Sequence, residues 1–374
     1  TLSSAGEGGQ VDLKEEVVVT PDVVQGESQK VEPVEKNVQN VNVTGETETE
    51  EVVVSEPVVE RHQGADREEV AINVAEKHFS DAEKAIIVNQ DKYTDAISAT
   101  NISQGEYPVL YTRADQIGDK TLMSLGRLDN LKEIYLLGGT TSIDQSIEDR
   151  LAETFRDITI TRIDGTDRFE ANAKAIRETF MVKGDEDDGE VKDKMTSDHV
   201  VIASGETYTD ALYGVSYANT INGPIILSKT DRLVKESVQL IEDLGASKVT
   251  IVGGPNTVNE SLIKQLQGLG ISEENINRNA GATRYDGRVE VARNSYENPE
   301  TVLIASGDIF TDALVSAPLA QKLNAPILLV RADSIVDVVE DFLNEGIGTI
   351  QSIYILGVPV TVSVANADRM MRVA

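Results

Sequence analysis

Three sets of polar residues recur at matched positions along this 374-residue chain, and each has chemistry open to it. The first is an aromatic-Thr-Asp-Ala signature: Tyr93-Thr94-Asp95-Ala96, Tyr208-Thr209-Asp210-Ala211 and Phe310-Thr311-Asp312-Ala313. Each follows a β-rich run and opens a helix, where Thr or Asp can cap orphan backbone N–H groups. An exposed Asp there would instead accept hydrogen bonds from sugar hydroxyls. No His, Lys or second carboxylate is paired with it in sequence, which argues against an acid–base couple. The second set, Arg67, Arg168 and Arg284, stands at helix starts, where the macrodipole disfavours a cation. Such placement calls for a partner, either a carboxylate across a unit boundary or a phosphate. The third set is Arg113, Lys229 and Arg331, each five residues after a proline (Pro108, Pro224, Pro326), with Asp115, Asp231 and Asp333 two residues further on. These fall just past the carboxyl ends of expected parallel strands, where such sheets place ligands. A solvated loop is the plain alternative.

Composition narrows the chemistry. With 64 acidic against 34 basic residues and a formal charge of −30, the chain would repel a phosphate backbone, so nucleic acid is not an expected partner. Zero cysteine excludes disulfides, thiolate metal sites and cysteine nucleophiles. The histidines His62, His78 and His199 do not stand at metal-ligand spacing, and no cofactor is expected. No run of 18 apolar residues suggests a membrane span. The start at Thr1, without a charged-then-apolar leader, reads as mature or trimmed. The turns Gly138-Gly139 and Gly253-Gly254 sit where open α/β sheets bind phosphates. Neither G-x-G-x-x-G nor a Walker lysine accompanies them, and Gly357-Val358 lacks the second glycine, so tight-turn geometry is the simpler reading.

The elements that must position these residues form a threefold repeat. Gly64-Ala65-Asp66-Arg67, Gly165-Thr166-Asp167-Arg168 and Gly281-Ala282-Thr283-Arg284 open helical stretches. Each is followed by a first strand (Ala85–Val88, Val200–Ala203, Val302–Ala305) and then by the Thr-Asp-Ala helix. A second strand starts at each proline, and a third ends in glycine. Leu233 to Leu244 shows the amphipathic period of a covering helix. Apolar strands alternating with such helices predict an α/β class of three tandem αβα modules with parallel sheets, Rossmann-like or Toprim-like. The expected boundaries are 64–164, 165–280 and 281–374.

Residues 1–63 are different, with fourteen acidic and four basic residues and no aromatic. Such a segment is expected to be largely disordered, a charged spacer, because it offers too little apolar surface to offset its ordering entropy. Alternatively its valine runs, Val17–Val19 and Val52–Val54, are strands that add to a sheet edge here or on a partner. The acidic stretch Asp185–Glu190 lacks the order of a calcium loop and reads as a solvated insertion. Modules one and two end in Ile158-Thr159-Ile160-Thr161-Arg162 and Asn275-Ile276-Asn277-Arg278, whereas module three has no such segment. Pro57-Val58-Val59-Glu60-Arg61 precedes Gly64 in the same way, so a tail strand is expected to cover module three's edge.

The Gly-x-x-Arg-aromatic start, the Ser-Gly…Thr-Asp-Ala-Leu segment, the Pro-Ile-Leu-Leu strand and the Leu-Gly-Gly end resemble the type 2 cell-wall-binding repeat. That family occurs in triplets in surface-layer and cell-wall proteins of clostridia and related Gram-positive bacteria. The likeness covers residues 64–374. Module one departs from it at Asn89-Gln90, where the others have Ser204-Gly205 and Ser306-Gly307. The resemblance implies a secreted, non-catalytic anchor in the cell wall or surface layer. It would bind an anionic secondary wall polysaccharide, with another surface-layer chain as a further partner through the N-terminal segment. The residues expected to touch polymer are Arg113, Lys229, Arg331, Asp115, Asp231, Asp333, Pro224, Pro326, Arg67, Arg168 and Arg284. Competing readings are the targeting portion of a wall amidase and, by fold analogy alone, a nucleotide- or sugar-phosphate enzyme.

Overall fold

The computed structural model describes residues 34–35, 53–54, 57–62, 64–180, 197–280, 283–346 and 348–357. Val17–Val19 and the insertion at 185–190 lie outside them, as does most of the acidic segment. Three short strands precede the modules: β1 (Val34–Glu35), β2 (Val53–Val54) and β3 (Val58–His62). The valine-run residues of β2 pair antiparallel with β1.

Module one runs α1 (Arg67–His78), β4 (Lys84–Asn89), α2 (Tyr93–Ser103), β5 (Val109–Thr112), α3 (Asp119–Gly126), β6 (Glu133–Leu137), α4 (Gln145–Thr154) and β7 (Thr159–Ile163). Module two repeats this as α5 (Arg168–Phe180), β8 (His199–Ser204), α6 (Tyr208–Ile221), β9 (Ile225–Ser228), α7 (Lys235–Leu244), β10 (Lys248–Val252), α8 (Glu260–Gly268) and β11 (Ile276–Asn279). Module three has α9 (Arg284–Ser295), β12 (Thr301–Ser306), α10 (Phe310–Leu323), β13 (Ile327–Val330), α11 (Asp337–Glu345) and β14 (Ser352–Leu356).

Each sheet is parallel and four-stranded, in the orders β5-β4-β6-β7, β9-β8-β10-β11 and β13-β12-β14-β3. The third sheet therefore takes its fourth strand from before Gly64. Strand β3 lies beside β14 from Ser352↔Val58 to Leu356↔His62, the place that β7 and β11 hold in their own modules. This is the closure expected from the sequence preceding each glycine.

The helices α2, α6 and α10 explain how the modules associate. They are rich in Ala, Ser, Thr and Gly, and α2 and α10 are buried almost all round, as Thr94–Ser103 and Thr311–Ala320 show. A helix without a polar face must be enclosed, and small side chains let such helices approach closely. The three pack on one another, and α5, α9 and α1 cover α2, α6 and α10 across the module boundaries. One apolar cluster accordingly draws residues from all three modules, among them Ile97, Leu212 and Leu314. Smaller clusters, around Leu240 and Leu262 in module two and Val339 and Leu343 in module three, fill the space under the outer helices. Helices α2 and α10 run side by side in the same direction. Tyr93 meets Phe310 at their starts, with ring centroids 6.1 Å apart, and Gln321 donates to Gln104 at their ends. Tyr93 Oη also donates to Gly205 O in the loop before α6. The carboxyl edges of the sheets thus converge on one side of a closed ring.

Candidate functional site

The helix-start arginines bind backbone. Each first helix is capped by the residue just before its arginine: Asp66 accepts from Glu69 N, Asp167 from Glu170 N and Thr283 from Asp286 N. Capping by an acid at two of the three starts also offsets the macrodipole's repulsion of the cation. Arg67 Nη1 donates to Gln90 O at 3.2 Å, Arg168 Nη1 to Gly205 O at 2.7 Å, and Arg284 Nη1 to Gly307 O. These carbonyls occupy one equivalent position, in the loop after the first strand of each module. The expected carboxylate across a boundary is not the partner; the fixed acceptor is a loop carbonyl of the same module. An exposed acid follows each carbonyl: Asp91, Glu206 and Asp308. Asp91 lies 3.4 Å from Arg67 and Asp308 lies 3.8 Å from Arg284.

The second cation set arrives at the same place. In module three the Arg284 and Arg331 guanidinium carbons lie 5.7 and 5.5 Å from the centre of the Tyr285 ring. In module two Lys229 Nζ lies 5.8 Å from the Phe169 ring. Both rings are buried beneath the cations, at 7 and 5 % exposure, so they support the charges and leave the cationic heads facing water. In module one Glu68 takes the aromatic's position. Burial and the nearby Asp66 raise its pKa, while Arg113 and Arg67 draw it down. Two cation sets that are about fifty residues apart in sequence are therefore joined through the residue after each helix-start arginine.

This pairing explains module one's departure. A Cβ on Gly205 would stand 2.7 Å from a Phe169 ring carbon, and one on Gly307 would stand 2.6 Å from a Tyr285 ring carbon. An aromatic shelf therefore requires glycine in the loop. Glu68 places no ring there, and Gln90 is accommodated.

Other expectations are corrected. Pro224 and Pro326 are buried at the amino ends of β9 and β13, where their carbonyls accept from Val201 N and Leu303 N. The cationic loops leave the opposite ends of those strands, so these prolines cannot share a contact surface with them. Asp231 pairs with its neighbour Arg232 at 3.1 Å. Asp115 and Asp333 are exposed on the equivalent loops.

The Thr-Asp-Ala signatures are not caps. The N-cap positions of their helices are Lys92, Thr207 and Ile309, and none makes a side-chain capping hydrogen bond. Asp95 and Asp210 turn inward, toward the glycine turn after the third strand. Asp210 Oδ2 accepts from Thr257 Oγ1 at 2.6 Å, and a Cβ on Gly253 would stand 2.5 Å from that carboxylate oxygen. Asp95 and Asp312 are only 7 and 2 % exposed, which removes them as acceptors for a sugar at the surface. Burial raises the Asp95 pKa to about 6. The crevice between first and third strands, where such sheets usually hold a ligand, is thus filled by the protein's own carboxylate. Gly138 and Gly253 adopt φ of 111° and 113°, whereas a Cβ on Gly139 or Gly254 would meet nothing within 4 Å. The second glycine is dispensable, which is why Val358 can replace it.

The sequence reading missed the acids Asp91, Glu206 and Asp308 and the supports Phe169 and Tyr285. Their signal was available: each acid stands two residues after the last residue of the first strand, and each aromatic directly follows a registered arginine. It also missed a structural triad on the fourth strands. Arg162 Nη1 donates to Gly138 O and Ile143 O, Arg278 Nη1 donates to Gly253 O, and Arg61 holds the matching register in β3.

Comparisons with known proteins agree with this repeat. The chain is 24% identical over 278 residues to the N-acetylmuramoyl-L-alanine amidase LytC of Bacillus subtilis (strain 168), covering 74% of this chain and 51% of that protein. It is 25% identical over 279 residues to the Amidase enhancer of the same organism, covering 74% of this chain and 35% of the relative. The chain thus spans about half the length, or less, of the curated relatives it matches. Among solved structures, Cwp6 from Clostridium difficile superposes with a TM-score of 0.73 at 25% identity, covering 90% of this chain and 51% of that one. Cwp8 from Clostridium difficile shares the fold, with a TM-score of 0.70 at 22% identity, covering 84% of this chain and 52% of its own. Residues 61–148, 162–263 and 278–365 each match the profile of Cell wall binding domain 2, and the chain belongs to that family.

Proposed function

We propose that this chain is a non-catalytic anchor that grips an anionic secondary polysaccharide of the cell wall through three equivalent sites on one side of the ring. The observation that carries this reading is the convergence, in each module, of two registered cations beside one loop acid: Arg67, Arg113 and Asp91; Arg168, Lys229 and Glu206; Arg284, Arg331 and Asp308. A chain of charge −30 meeting a polyanion needs local cations to offset long-range repulsion. The acids, together with Asp115, Asp231 and Asp333, would accept hydrogen bonds from sugar hydroxyls. Three sites on one rigid ring would bind a repeating polymer with avidity well above any single contact. In this reading the modules span 64–164, 165–280 and 281–374, the protein works at the cell surface after secretion, and the acidic segment reaches toward another surface-layer chain.

The relationship to an amidase and to a protein named an amidase enhancer favours a second reading, in which the chain is the wall-targeting portion of a hydrolytic system. Sedimentation with purified walls, run beside turnover assays on wall fragments, separates anchoring from catalysis. Lys229→Ala with Arg331→Ala should weaken wall binding at least tenfold at low salt, with a smaller loss at high salt. Full retention by the folded double variant at both salts removes these residues from the site.

A further inference from the structure

In module two, the strand that carries the second cation is held by the module before it. Lys229 follows β9, and Asn101 on α2 of module one grips that strand: its Oδ1 accepts from Ile225 N at 2.9 Å and its Nδ2 donates to Ile225 O at 3.1 Å. Asn172 on α5 serves the same edge from within module two. Its Oδ1 accepts from Leu227 N at 3.0 Å, and its Nδ2 donates to Ile225 O and to Ser98 Oγ of module one, both at 3.1 Å. The helix-start cation is reached across the same seam. Tyr93 Oη and Arg168 Nη1 donate to one carbonyl, Gly205 O, and the Arg168 charge acts on both Tyr93 and Asp95. The two cations of module two thus rest on side chains of module one.

Where the ring closes, module three stands in that place for module one. The residues at the positions of Asn101 and Asn172 are Pro318 and Ala71, which offer no amide. Another side chain makes the contact. Tyr111, aligned with Leu227 and Leu329 of the other modules, is 1 % exposed, and its Oη donates to Thr311 O of module three at 2.9 Å. Arg113 stands two residues on. Tyr111 also lies in the field of two charges, Asp312 of module three and Arg67 of module one. Arg67 opens α1, which packs on α10 and follows β3 in the chain. The first seam is secured by the chain itself, because β7 runs directly into α5. The closing seam depends on the ladder of β3 on β14 and on the contacts of α1 and β5 with α10.

We propose that the wall site of module one is conditional: Arg67 and Arg113 are held in register for polymer only while β3 is latched to β14. This linkage, which rests on the anchor reading, makes Tyr111 a positioning residue that acts on polymer through Arg113. The site of module two needs no latch.

The test is sedimentation of the full chain with purified Gram-positive cell walls at low salt. Glu60→Pro opens the latch, because Val58 N donates to Gln351 O at 2.7 Å and Glu60 N, two residues on, faces the same strand. In wild type, Arg113→Ala and Lys229→Ala should each weaken binding about threefold. In the Glu60→Pro background Lys229→Ala should keep its full effect, and Arg113→Ala should have none. Equal losses from Arg113→Ala in both backgrounds overturn the proposal and leave the anchor reading standing. An Arg113→Ala chain that binds like wild type overturns it too. So does a Glu60→Pro background that erases the Lys229→Ala loss, because the latch then loosens every site alike. If neither alanine weakens wild-type binding, the anchor sites themselves fail, and the latch with them. Where Glu60→Pro does not fold, Tyr111→Phe, which loses only the hydroxyl that reaches Thr311 O, replaces it with the same pattern expected.

Discussion

Between modules one and two the backbone passes directly from β7 to α5, and amide chemistry seals the contact: Asn101 and Asn172 hold the edge of β9, and Tyr93 reaches Gly205 O. Between modules three and one no such continuity exists. The positions of the two asparagines are Pro318 and Ala71, and different groups join the surfaces. Strand β3 enters the third sheet and leads into α1, with Glu60 paired to Lys77. His62 and His78 share a hydrogen bond of 2.8 Å between their Nε2 atoms, and His62 stacks on Tyr354. Lys322 donates to His78 O, and Tyr111 Oη donates to Thr311 O. The difference is instructive: the first seam is held by groups that keep their charge state between pH 5 and 7, and the closing seam depends on a borrowed strand and on histidines.

The harshest way to break the comparison is to delete residues 1–63, which removes β3 and uncovers the β14 edge. The melting temperature should fall by more than about 10 °C, since several buried contacts and a strand ladder are lost together. An unchanged value in calorimetry would mean that the closing seam does not need the strand.

Acid should act next most strongly, and on the closing seam. Burial lowers both His62 and His78 to about 4, with each other's charge or nearby lysines adding to it. In the unfolded chain they bind protons near pH 6.5, so the unfolded state holds more protons between those values. Stability is near its full value above about pH 6.5 and is lost as pH falls toward 4, by about 2 kcal/mol for each histidine at pH 5. Asp95 works in the opposite sense, because its carboxyl is raised and so it destabilises the fold as pH rises from about 4 to about 6. Denaturant titrations at pH 7 and pH 5 should show the loss in wild type and a reduced loss in His78→Gln. A flat profile would refute the histidine clasp.

At the first seam Asn172→Ala leaves Leu227 N without its acceptor and removes one of two donors to Ile225 O. The expected cost is about 2 kcal/mol, independent of pH between 5 and 7. A pH-dependent cost would show that the two seams are coupled.

The strand–helix alternation and the borrowed strand were legible in the sequence because both rest on local pattern: apolar runs, helical periods and a segment recurring before each glycine. The cation positions were legible for the same reason, since register survives in a repeat. Their joint geometry was not. Nothing in the spacing of Arg284 and Arg331 shows that both lie against Tyr285, because that contact is made only when α9 packs beside β13. The Thr-Asp-Ala signature misled for a related reason. A short polar motif at a helix start reads as a cap, whereas Asp210 is drawn away by Thr257, forty-seven residues later in the chain.

The pairing of β3 with β14 also sets the order of events in folding. Strand β3 is made before any module, and its partner β14 comes after nearly all of them, so the third sheet cannot be completed early. Closing so long a loop adds little to the equilibrium cost, since the entropy grows only logarithmically with length. It weighs on the rate, because contacts this distant in sequence form late. Modules one and two can reach their native sheets from nearby strands, while the ring stays open until its last strand arrives. The same step, run backwards, is the first to be lost: the latch between β3 and β14 should govern how long the closed ring survives, whatever the stability of each module alone.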